Sequence, residues 1–198
     1  MKIIGITGGV GAGKTTVLNQ IKEMCNCRIL IADEIAKNLQ LPGEECYEKI
    51  VKLLGTKILC GELGTAIDNK KMAQIIFADK KLLQEVNSII HPSVKKYINN
   101  IINTEKGKGE IDYLFIEAAL LIDDGYDVIC DEMWYIYVNE EIRIERLAIS
   151  RGYSREKSLS IMSKQNSDEV FRKYCKYVID NNGDMDKTVS DIKFALKG

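Results

Sequence analysis

Only two prolines and one histidine occur in 198 residues, and 28 Lys and Arg are almost cancelled by 29 Asp and Glu. The net charge of −1 removes the simplest case for nucleic-acid binding, a broadly basic surface. No apolar run approaches the ~18–20 residues of a membrane span. Met1-Lys2-Ile3-Ile4 meets a glycine cluster too soon for a secretory signal. The expectation is a cytoplasmic protein with neither nucleic acid nor membrane as partner. The six cysteines, at 25, 27, 46, 60, 130 and 175, include no CxxC pair, so free thiols in a reducing compartment are expected. Repeats and low-complexity tracts are absent, and 45% hydrophobic residues argue against disorder. A chain of this length suits one domain and needs no staples, since it buries roughly 70% of its unfolded surface.

What is present is an alternation of short apolar segments with longer amphipathic ones. Lys2–Thr7, Arg28–Ala32, Tyr113–Glu117, Trp134–Val138 and Tyr177–Asp180 are predicted strands of the buried type. The stripe of Val17, Leu18, Ile21 and Met24 predicts a helix over Lys14–Met24. Helices are also expected over Glu44–Leu54, Asn69–Phe77, Lys80–Ile90 and Ser93–Asn103, with Pro92 breaking the last two apart. Asn139 can cap Glu140–Ser150, and helices over Arg155–Lys164 and Asp168–Tyr174 precede the last strand and a C-terminal helix. Five short strands separated by helices imply a parallel sheet covered on both faces. Ligands of such sheets bind beyond the carboxyl ends of the strands.

At that edge Gly8-Gly9-Val10-Gly11-Ala12-Gly13-Lys14-Thr15 fits G-x-x-x-x-G-K-[ST], between a strand and a helix. Glycines let backbone N–H groups wrap a phosphate, and the helix adds its positive end. Lys14 places a cation on the phosphates, and the Thr15 hydroxyl can ligate Mg²⁺. Thr16 lies in the same first turn. A glycine-rich turn without a ligand is the weaker reading, because four glycines, a lysine and two threonines all fit. A guanine-nucleotide switch is disfavoured: Asn69-Lys70-Lys71-Met72 lacks the aspartate of NKxD, and Asp180-Asn181-Asn182-Gly183 supplies DxxG only at the far end. A small-molecule kinase is preferred. Asp33 follows the second strand, where a carboxylate can take a proton from an acceptor hydroxyl or hold Mg²⁺ through water. It can equally cap a helix over Glu34–Leu39.

In order and approximate spacing, the phosphate loop, Ala32-Asp33, Phe77, His91-Pro92, Leu120-Leu121, Arg146-Leu147, Gln165 and Ile179-Asp180-Asn181 resemble the dephospho-coenzyme A kinase family. The resemblance covers nearly the whole chain. It implies an α/β, three-layer P-loop kinase fold in a single domain: a core at about 1–33, 110–142 and 176–198, a helical substrate-binding insertion at about 34–105, and a short lid at about 143–175. It also implies transfer of the ATP γ-phosphate to the ribose 3′-hydroxyl of dephospho-CoA, with Mg²⁺. Asp33 matches the family's presumed base, and Lys14 and Arg146 join it as catalytic groups. Gly11, Ala12, Gly13, Lys14, Thr15 and Thr16 match ATP phosphate contacts, with Gly8 and Gly9 opening the same loop. Arg146 matches a lid arginine that reaches the phosphates, and Asn181 a residue near the adenine. Phe77 and His91 match positions lining the acceptor site, to which Glu117 and Leu120 are also assigned. The chain departs from the family in having Ile31-Ala32-Asp33 for Asp-Ala-Asp, Glu117-Ala118-Ala119-Leu120-Leu121-Ile122-Asp123 for Asp-x-Pro-Leu-Leu-Phe-Glu, Asn69 for an arginine, and one extra residue between Arg146 and Arg151.

Plainer roles compete at several positions. A lone histidine before proline, such as His91, more often ends a helix than catalyses. Arg143 and Arg146, then Arg151 and Arg155, would ordinarily form a solvated face, yet the spread charge of a migrating phosphoryl suits forked guanidinium groups, Arg146 first. Trp134, Tyr135 and Tyr137 read as core or strand-flank residues. Another metabolite kinase of this fold, or an ATP-binding regulator that transfers nothing, are the alternative functions. The net charge is itself a cancellation: Arg143–Lys176 carries nine basic and four acidic residues, whereas Gly109–Ile142 carries ten acidic and no Lys or Arg.

Overall fold

The computed structural model describes residues 1–61 and 65–198. The described strands are β1 (Lys2–Thr7), β2 (Cys27–Ile31), β3 (Leu59–Cys60), β4 (Ala66–Ile67), β5 (Tyr113–Glu117), β6 (Glu132–Tyr137) and β7 (Tyr177–Asp180). The helices are α1 (Lys14–Met24), α2 (Ala32–Asn38), α3 (Glu45–Leu54), α4 (Asn69–Ala78), α5 (Lys80–Lys108), α6 (Glu140–Arg151), α7 (Arg155–Met162), α8 (Asp168–Tyr174) and α9 (Met185–Lys197). Five strands form a parallel sheet in the order β2-β5-β1-β6-β7, and β3 and β4 form a separate antiparallel pair. The described residues divide into two compact units, 1–30 with 109–198, and 31–108.

The first unit holds the sheet. Ile4, Ile6, Phe115, Trp134 and Ile136 share one core with Val17, Leu18 and Ile21 of α1 and Ile192 and Ala195 of α9. On the other face, Tyr135 stacks on Phe171 of α8 with ring centroids 4.7 Å apart. Burial on both faces explains why these strands read as continuous apolar runs. β6 begins two residues earlier than its pattern suggests, at Glu132. That carboxylate is buried but fully engaged: Lys2 lies 2.9 Å away, Lys176 3.0 Å, and the Trp134 indole N–H donates to it at 3.0 Å. A charged residue is thus carried into the sheet by partners distant in sequence.

The second unit has its own core, Cys46, Ile50, Leu54, Ile58, Met72, Ile76 and Val86. Asp68 caps α4 by accepting from the N–H groups of Lys70 and Lys71. Two expectations are corrected here. Pro92 does not end a helix: α5 runs unbroken through it for 29 residues. Val86, Val94, Ile98 and Ile102 keep one stripe buried along its length, and next to the proline the Ile89 carbonyl accepts from the Ser93 hydroxyl at 2.9 Å and the Cys46 thiol at 3.8 Å. Tertiary burial of this stripe carries the helix past the backbone bond to the Ser88 carbonyl that proline cannot make. Nor is Asp33 a helix cap: α2 starts at Ala32 with Ile31 at its N-cap, and Asp33 stands exposed in the first turn.

Candidate active site

The loop from Gly8 to Gly13 joins the end of β1 to α1 in the first unit. Its shape requires glycine where φ is positive, at Gly11 (80°) and Gly13 (75°), and a Cβ at Gly13 would also lie 2.5 Å from the Asn181 amide nitrogen. Five of the six carbonyls from Gly8 to Gly13 are occupied. Gly8 accepts from the Lys14 ammonium at 3.0 Å, Gly9 from the Ala12 N–H at 3.1 Å, and Val10 from Arg143 Nε at 2.9 Å. Ala12 accepts from the Asn181 amide at 2.8 Å, and Gly13 from the N–H groups of Thr16 and Val17. Helix α1 has neither a side-chain cap nor an acidic residue in its first turn, and Thr15 and Thr16 are exposed there. An uncapped positive helix end beside a glycine loop is an anion site.

Lys14 also lies 3.4 Å from Glu117, which ends β5. The register that sets Ile6 of β1 against Glu117 brings this carboxylate to the start of the loop. Both side chains are mostly enclosed, 17% and 12% exposed. Leu120, just beyond, is half exposed, whereas Leu121 is buried under the sheet against Gly5.

From the other side, α6 supplies two arginines. Arg146 donates to the Asn181 carbonyl at 2.9 Å, with another guanidinium nitrogen 3.5 Å from where a Cβ on Gly13 would stand. The buried Asn181 side chain is spent on the loop, and its Oδ1 accepts from Thr188 at 3.5 Å. Arg143, missed as a site residue by the sequence reading, reaches the loop directly. Burial lowers its guanidinium pKa from the usual arginine value. Gln165, after α7, accepts from the Val10 N–H at 2.9 Å and from Arg143 at 3.3 Å. The signal for Arg143 was its i, i+3 spacing from Arg146. Arg155 instead makes a forked pair with Glu141, both bonds 2.6 Å, on the exposed surface. Arg143 and Gln165 also line a cavity of about 720 Å³ with Tyr135, Tyr137, Met162 and Asp168.

The second unit carries the other predicted residues. Asp33 opens it; Phe77, at the end of α4, is 74% exposed; His91 is partly buried in the middle of α5, where it ends nothing. The structure therefore brings Gly8–Thr16, Glu117, Arg146 and Asn181 together in one unit, and places Asp33, Phe77 and His91 in the other.

The CoaE dephospho-CoA kinase family model matches residues 2–187. A dephospho-CoA kinase of Carboxydothermus hydrogenoformans is 34% identical over 197 residues, covering 100% of this chain and 94% of that protein. One of Aquifex aeolicus is 36% identical, covering 98% and 95%. A crystal structure of a Thermus thermophilus protein superposes with a TM-score of 0.82 at 25% identity, over 99% of this chain and 96% of that one. The fold is that of P-loop kinases, and the chain belongs to the dephospho-CoA kinase family.

Proposed function

We propose that this chain transfers the γ-phosphate of ATP to the ribose 3′-hydroxyl of dephospho-CoA, giving CoA and ADP. The observation that carries this is the phosphate loop with five of its six carbonyls occupied, beside Lys14 and the uncapped α1, in a chain matched by the family over residues 2–187. A loop held in this way offers its N–H groups and helix end to a polyphosphate. Lys14 neutralises charge on the phosphates, and Arg146, within reach of Gly13, adds a forked cation. Asp33 accepts the proton of the 3′-hydroxyl or orients it. Phe77, His91 and Leu120 contact the acceptor.

The donor set at the loop fits Mg²⁺. Thr15 offers a hydroxyl and Glu117 a carboxylate, and among the described residues no cluster of three or more His, Cys, Asp or Glu forms a cage. Mg²⁺ bound to a nucleotide characteristically takes few protein ligands, the phosphates supplying the rest. When bound it would neutralise charge on the nucleotide phosphates. Among the described residues, no helix is long and apolar enough to cross a membrane.

The test is a coupled assay of ADP release. Release that depends on dephospho-CoA, and does not occur with adenosine, AMP or gluconate, is expected. Turnover with one of the other acceptors would assign a different kinase, and tight ATP binding without acceptor-dependent release would assign a regulator.

A further inference from the structure

We infer that Arg143 and Gln165 are positioning residues that set the shape of the phosphate loop, and not groups that touch the transferred phosphoryl. Both polar groups of the Val10 peptide unit are held by this pair. Arg143 Nε donates to the Val10 carbonyl at 2.9 Å, and the Val10 N–H donates to Gln165 Oε1 at 2.9 Å. The pair is closed on itself, because Arg143 Nη2 donates to the same Gln165 oxygen at 3.3 Å. The flanking glycines make room for it. A Cβ on Gly9 would collide with the Arg143 guanidinium, and one on Gly11 would lie 3.1 Å from the Arg143 carbonyl. The loop is therefore wrapped around Arg143, which spends its Nε donor and one on Nη2 on protein atoms. Arg146 instead donates to the Asn181 carbonyl, outside the loop.

A loop rich in glycine has many backbone states, and ordering it at the moment of binding costs affinity. Holding Val10 by its carbonyl and N–H removes that cost before nucleotide arrives. The inference rests on the reading that Gly8–Thr15 binds nucleotide phosphates. It predicts a distinct signature: ADP, which lacks the γ-phosphate, should feel the loss of the pair as much as ATP does.

The experiment compares ADP and ATP dissociation constants, and kcat at saturating substrates, for wild type, Arg143→Gln, Arg143→Lys, Gln165→Ala and the Arg143→Gln/Gln165→Ala double variant. Each variant is expected to weaken ADP and ATP by the same factor, roughly tenfold or more, as for loss of a charge-assisted hydrogen bond. Saturated kcat should stay within about threefold, because uniform binding is what is lost. The double variant should be little worse than the worse single one, since the bonds form one unit. Lysine should not rescue Arg143, since it lacks the two fixed donors. Loss of kcat with ADP affinity intact would place Arg143 on the phosphoryl and overturn the inference, as would unchanged affinity for both nucleotides. Circular dichroism identifies any Arg143 variant that fails to fold, and Gln165→Ala, at a partly buried position, then decides alone. A wild-type protein that binds no ADP would overturn the functional reading instead.

Discussion

Lys14 is shared between two oxygens, the Gly8 carbonyl at 3.0 Å and Glu117 at 3.4 Å. A phosphate entering the loop competes with Glu117 for the ammonium and brings more charge to it. Lys14→Met keeps the stem and removes the cation, and should lower kcat by roughly 10²–10³-fold, the scale of losing one preorganised charge-stabilising donor. Asp33 makes the opposite kind of prediction. It is exposed and caps nothing, so Asp33→Asn should leave the thermal midpoint within about a degree while kcat falls by roughly 10²–10⁴-fold, the range of general-base contributions. Steady-state ADP release and a thermal melt on the same preparation measure both effects. Near-normal turnover would remove Asp33 from the base role.

At the scale of elements, Glu132 ties β6 to both its neighbours: Lys2 belongs to β1, and Lys176 immediately precedes β7. Burial alone would raise its carboxyl pKa, but hydrogen bonds from Lys2, Trp134 and Lys176 outweigh burial and hold it below the ordinary glutamate range. A lowered folded-state pKa means stability that is fully present above that range and lost as pH falls through the folded value. Glu132→Gln should cost roughly 1.5–3 kcal/mol at neutral pH, as for hydrogen bonds to a charged group, and the gap to wild type should close as the medium is acidified. Urea unfolding at several pH values, followed by the fluorescence of buried Trp134, tests this; a gap constant with pH would deny the carboxylate its role. The same residue shows where sequence reading reaches its bound. The apolar runs of all five sheet strands were legible, because a parallel sheet buries both faces, and so was the loop between β1 and α1. The start of β6 was not, since a glutamate reads as strand exterior until Lys2 and Lys176 are brought to it. Pro92 misled for a related reason: its local rule is sound, but the buried stripe of α5 decided the outcome. Arg143 was visible as one of a spaced pair, while its partner Val10 lies 133 positions upstream, a separation no local pattern reports.

At the scale of the molecule, the two units have separate cores, Ile4 to Ala195 around the sheet in one and Cys46 to Val86 among helices in the other. The phosphate loop, Lys14, Arg146 and Asn181 all belong to the first. The basic stretch from Arg143 to Lys176 belongs there too, which is where a polyphosphate gains from local positive charge. A ligand stabilises only the states that bind it, by about 2.7 kcal/mol at one hundred times its dissociation constant. ADP alone should therefore slow amide hydrogen exchange in β1, α1, β6 and β7, whose opening destroys the loop. Amides of α3 and α4 can open around their own core without disturbing it, so their exchange should change little. Peptide-resolved exchange with and without saturating ADP measures the two units side by side. Equal slowing in both would mean that residues 31–108 open only together with the sheet, and that two cores serve one cooperative structure.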